Sequence, residues 1–191
     1  MKTPITTTLS AAFALALSNA AAFAAEPHVH GAETLQLVLE GGSLNIELRL
    51  PSINVVGFEH TPRTAKHKEA VKKAAALLQD SAKLLTPSSE AQCTAAPAKV
   101  ESELLQEPQG DHSQPEKHEK HEKHGKADSE MHSDFEASYR FDCNRPEALK
   151  QIKVLLFQQL PKLEHLDVEM VTPAGQRRQR LTPGQDIATL P

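Results

Sequence analysis

Three consecutive copies of one triplet, Glu116-Lys117-His118, Glu119-Lys120-His121 and Glu122-Lys123-His124, bring imidazole, carboxylate and ammonium groups into register with a period of three. His112 and His132 flank them, so half of the chain's 10 His fall in this one stretch. In polyproline II, with three residues per turn, the triplet imidazoles share one side at roughly 9 Å spacing. In a helical turn, residues i and i+3 approach to ~5–6 Å between Cβ atoms, close enough to share an ion. Neutral imidazole suits zinc, copper and nickel. The interleaved Glu can add oxygen ligands or fix His tautomers. Each Lys offsets a Glu, so the repeat is no acidic calcium trap, which would want oxygen ligands throughout.

A second His pair, His28-Val29-His30, stands upstream. In extended chain, positions i and i+2 share a face, so both rings can reach one ion. Pro27 removes the backbone N–H that an amino-terminal copper site would need. Glu59-His60 offers a further carboxylate and imidazole just before a helix, where they could join His28, His30 and His132 in a site on the folded core. His67 falls on the helical face of Val71 and Ala74 and is read as a partly buried core residue. His165, between a helix and a strand, receives no role. No G-x-S-x-G, H-E-x-x-H or Gly-rich phosphate loop occurs in the sequence, and the chain is expected not to be an enzyme.

The elements that must position these residues begin after a small, apolar run from Leu9 to Phe23 that follows Lys2 and ends in Ala22-Phe23-Ala24. This is the pattern of a secretory signal peptide over 1–24, and it is too weakly apolar for a membrane anchor. Residues 25–191 are then expected to form one exported domain in the periplasm, not spanning the membrane. An oxidising compartment makes a Cys93–Cys143 disulfide the simplest use of the two cysteines; a free thiol pair is the alternative. A net charge of −4 in 191 residues argues against an overall basic nucleic-acid binder.

Alternation of Leu35, Leu37, Leu39 and then Leu44, Ile46, Leu48, Leu50 about Gly41-Gly42 predicts a β-hairpin. Thr61-Pro62 starts a predicted helix over Pro62–Leu85, with Lys66, Lys68, Lys72 and Lys73 toward water. Strands are predicted at Lys99–Leu105 and Phe135–Phe141. The insert between them, Gln106–Ser133, has only Ala127 and Met131 as apolar residues and is expected to be disordered without a ligand. A second helix is predicted over Pro146–Leu160 from Leu149, Ile152, Leu156 and Leu160. A strand over Leu166–Val171 and its return over Gln176–Leu181 follow the turn at Pro173-Ala174-Gly175. The fold expected is α+β: an antiparallel sheet with two main helices and a disordered His-rich hairpin insert over 106–133.

The set His28-Val29-His30-Gly31, Asn54-Val55-Val56-Gly57-Phe58-Glu59-His60-Thr61-Pro62, Cys93, the His-rich insert, His132-Ser133-Asp134-Phe135, Tyr139-Arg140-Phe141-Asp142-Cys143 and Thr172-Pro173-Ala174-Gly175-Gln176 resembles the ZrgA-type zinc-uptake proteins of Gram-negative bacteria. The resemblance covers nearly the whole chain after the signal. It implies a periplasmic protein that binds zinc through its His-rich region and assists zinc import, with the solute-binding component of a zinc ABC importer as the partner. The chain has Glu-Lys-His triplets where the richest family inserts have near-continuous His. Two other uses of these residues stay open on ligand chemistry: sequestration of copper or nickel, and a structural or chaperone-like envelope role with a pH-sensing insert.

Overall fold

The computed structural model describes residues 32–106 and 133–191. The first hairpin forms as the alternation dictates: β1 (Thr34–Glu40) and β2 (Ser43–Pro51) pair antiparallel, Leu37 opposite Ile46, and both bury their leucine faces. Gly41 at the turn has φ +58°, a left-handed conformation that glycine takes without a Cβ penalty. Pro51 leads into the short helix α1 (Ser52–Val55). Thr64 caps α2 (Ala65–Gln79), and α3 (Ser81–Leu84) follows directly.

The rest of the chain is mostly strand. β3 (Leu85–Pro87), β4 (Cys93–Ala95) and β5 (Lys99–Ser102) precede β6 (Asp134–Cys143). Then come β7 (Gln151–Val154), the short helix α4 (Leu156–Gln159), β8 (Leu166–Thr172), β9 (Gly175–Leu181) and β10 (Ile187–Thr189). The large sheet runs β4-β6-β2-β1-β8-β9, with β5 pairing β6 beyond β4; β10-β7-β3 make a second, three-stranded sheet. One face of the large sheet is buried, through Leu35, Leu44, Ile46, Phe135, Tyr139, Val168 and Met170, under α2 and the elements around the small sheet. Its other face carries charged pairs such as Asp167–Arg180 and Glu169–Arg178. That division is what an antiparallel hairpin with one wet face requires.

The architecture is α+β, but three expectations need correction. The helix predicted over Pro146–Leu160 does not form. That segment is a 3-10 turn at Pro146–Ala148, strand β7 and the single turn of α4. Its leucine spacing fits a helix, yet Gln151-Ile152-Lys153-Val154 also alternates. Two β-branched side chains and two flanking strands decide for the strand, with Ile152 and Val154 fully buried. The helix predicted over Pro62–Leu85 is shorter: it starts after Thr64 and breaks at Asp80, whose φ −90° and ψ 79° lie outside the helical region. The Lys66, Lys68, Lys72 and Lys73 side chains are exposed as expected. Finally, the sheet is mixed. β1 pairs β8 in parallel, Leu35 beside Val168, and alternation carries no information on strand direction.

β5 and β6 form the predicted hairpin, Ser102 opposite Phe135, but its first strand is cut short. Ser102 Oγ accepts from the Leu104 N–H and turns Glu103–Leu105 into a 3-10 helix. Cys93 and Cys143 face each other across β4 and β6 and are joined as a disulfide.

Candidate metal centre at one end of the sheet

Strand registers bring five chain segments to one end of the large sheet. Thr34 at the start of β1 lies between Arg49 near the end of β2 and Asp167 near the start of β8. Pro51 lies beside Asp134 at the start of β6, and Ser102 at the end of β5 beside Phe135. Both ends of the insert, the segment leading into β1, the α1–α2 connection and His165 therefore belong to the same end.

The α1–α2 connection is the best-defined part. After α1, Gly57 takes φ +89°, and Phe58, Glu59 and His60 follow. The Phe58 ring stacks on His60 at 4.9 Å between ring centres and on His67 at 4.5 Å. The two His rings are themselves 5.2 Å apart, tilted by 50°. His67 occupies the first turn of α2, where its N–H donates to Thr64 Oγ1 at 3.1 Å and so completes the N-cap. Its side-chain Nδ1 is buried and makes no hydrogen bond. His60 is exposed, with Nδ1 3.1 Å from the Thr61 carbonyl. Donation through Nδ1 fixes the tautomer that leaves Nε2 with a lone pair.

Two further contacts knit this end together. Ser133 is buried; its carbonyl accepts from the Ser52 N–H at 2.8 Å and its hydroxyl donates to the Glu59 carbonyl at 3.0 Å. Ser133 thus belongs to the folded core, whereas Gln106, at the other end of the insert, is exposed. Glu33, just before β1, has a buried carboxylate that accepts from Asn54 Nδ2 and lies 3.4 Å from His165 Nε2.

Of the residues expected to bind metal, Glu59 and His60 are described. His28, His30, His112, His118, His121, His124 and His132 lie outside the described residues. Among the described residues no group of three or more His, Cys, Asp or Glu side chains is gathered to hold an ion. Both cysteines are spent in the disulfide. What the described chain does offer is a pair of imidazoles, His60 and His67. The second was read from its helical spacing as a partly buried core residue, and it is half-buried; its contact with Phe58, nine positions upstream, follows the path of the α1–α2 connection, which spacing does not encode. Glu33 and His165 had no sequence signal, because their pairing depends on β1 and β8 lying side by side.

Elsewhere the structure offers less chemistry. A pocket of about 260 Å³ lies around Glu169, Val171, Gln176 and Arg178, toward the β8–β9 turn at the opposite end of the sheet. Back at the site's end of the sheet, the Arg180 guanidinium donates to the Asp167 carboxylate and holds it below the usual carboxylate range. Among the described residues no helix is long and apolar enough to cross a membrane.

Residues 27–190 match the family described as ZrgA family zinc uptake protein. No curated protein matches the chain.

Proposed function

The chain belongs to the ZrgA family of zinc uptake proteins, and from that premise we propose that it is a periplasmic accessory protein that captures or buffers zinc and passes it toward import. Zinc is its cargo. The export signal over 1–24 delivers it to the periplasm, and it catalyses no reaction. The receiving partner is the solute-binding component of a zinc ABC importer.

The observation that supports this reading is the attachment of the His-bearing segments to a single end of the sheet. The strand that follows His28 and His30, the loop with Glu59 and His60, and both ends of the insert all meet there. Ser133, next in sequence to His132, is bonded to Glu59. The insert, with His112, His118, His121, His124 and His132 as its ligands, leaves and rejoins the fold at this end, beside the ligands on the core. Ligands that binding must order lose part of their binding energy, whereas ligands already held in place lose less. Two classes of site follow: several weaker ones in the insert, and a tighter one at the core.

Zinc titration of the signal-free protein tests this. Replacing His118, His121 and His124 by Ala is expected to lower the stoichiometry. Replacing His28, His30 and His60 is expected to remove the tightest event. A parent protein that binds no zinc ends the reading. If the second triple variant binds as the parent does, the insert alone carries the metal.

A further inference from the structure

We propose that His67 is a zinc ligand and forms with His60 a two-imidazole site on the folded core, an inference that rests on the zinc reading above. Three observations carry it. Two imidazoles on one tetrahedral zinc, each nitrogen about 2.0–2.1 Å from the ion, hold their ring centres roughly 5 Å apart. The His60 and His67 rings stand at 5.2 Å. Their mutual tilt of 50° differs from the near-parallel stacking each makes on Phe58, at 22° and 28°. Stacking on the shared Phe58 positions both rings before any ion arrives.

The second observation is chemical. His67 Nδ1 is buried without a hydrogen-bond partner. Such a polar atom costs free energy unless something satisfies it, and a small movement of the half-buried ring would let an ion do so through the lone pair. Third, His60 has its Nδ1 engaged at the Thr61 carbonyl, leaving Nε2 for the ion. The two rings come from different elements. His67 is fixed by the capped first turn of α2, and His60 stands on the connection before it.

Among the described residues a tetrahedral zinc here would find two ligands, His60 and His67, which leaves two coordination positions open. Closed four-ligand sites hold structural metal, whereas open positions admit an incoming ligand. The pair is therefore suited to receiving zinc and giving it up. His67 is the residue that converts His60 from a lone surface imidazole into half of a site.

The test is a competition titration with zinc and a chromophoric chelator, on the full signal-free chain, comparing the parent with His67→Phe and His165→Phe. Phe at 67 keeps an aromatic ring against Phe58 while removing both nitrogens, and melting in chelator checks that it folds. His67→Phe is expected to weaken the tightest event by at least the roughly 10–100-fold that loss of even an outer partner of a metal costs, with His165→Phe close to the parent. Parent-like binding by a folded His67→Phe overturns the His67 assignment and leaves zinc binding by the protein intact. A parent that binds no zinc overturns both. Should His67→Phe not fold, nitrogen NMR of the parent decides. Movement of a His67 ring nitrogen resonance within the first equivalent of zinc supports the site, and an unmoved resonance refutes it.

Discussion

Ser133 donates its hydroxyl hydrogen to the backbone carbonyl of Glu59 across 3.0 Å, joining the residue where the insert rejoins the fold to the loop that carries His60. The bond links residues 74 positions apart, and Ser133 is only 4% exposed, so little water can replace the lost partner. Ser133→Ala is expected to cost about 1 kcal/mol in a denaturant melt. It should also weaken the tightest zinc event more than it lowers the stoichiometry. Equal stability of variant and parent would show the bond to be incidental.

Zinc binding should depend on pH through the ligands themselves. Imidazole binds metal only when neutral, so protons compete with zinc and affinity falls as the pH drops. Titrations at neutral and at mildly acidic pH measure the loss. The slope is steeper for an event that uses more His, so it also counts ligands.

Tyr139 provides a second pH-dependent quantity, of stability. Its hydroxyl donates to the Leu78 carbonyl at 2.8 Å near the end of α2, and burial pushes its pKa far above the usual tyrosine range. The unfolded phenol ionises near pH ~10 while the folded one stays neutral. Stability from this group is therefore complete below pH ~10 and is lost as pH rises further. The chain has 1 Tyr and no Trp, so absorbance of the phenolate reports this residue alone. It should appear together with alkaline unfolding, well above the transition of free tyrosine. Tyr139→Phe should cost about 1–3 kcal/mol at neutral pH by orphaning the Leu78 carbonyl.

The disulfide should matter to stability and little to zinc. Cys93 and Cys143 bond at the end of β6 remote from Ser133 and Asp134. Replacing both by Ser is expected to cost about 2–5 kcal/mol. The tightest zinc event should persist in the variant at temperatures where it remains folded. Its disappearance from a folded variant would tie the two ends of the sheet together.

Much of the fold was legible because one face of each long strand is buried. The leucine alternation in β1 and β2, the aromatic alternation in β6 and the β8–β9 return all appear where the pattern puts them. The pattern misled at Pro146–Leu160, where Leu149, Ile152, Leu156 and Leu160 fit a helix while Ile152 and Val154 fit a strand, and β-branching with the neighbours β3 and β10 decides between them. It misplaced the start of α2 because Thr61 and Thr64 are equally good caps in sequence, and only Thr64 Oγ1 accepts the His67 N–H. Strand direction was invisible, and with it the contact of Glu33 with His165. Glu59 and His60 could be singled out by residue type. That His60 stands beside His67 on Phe58 is a matter of chain path, which spacing does not encode.

Ser102 and Phe135 pair where the chain leaves the sheet for the His-rich tract and returns from it. Lengthening a flexible connection between fixed ends costs only ~0.6 kcal/mol per doubling. Triplets can therefore be gained or lost by simple duplication or deletion with almost no penalty to the folded core. The zinc capacity proposed for the tract can thus change with its length while the register of β5 and β6 stays the same.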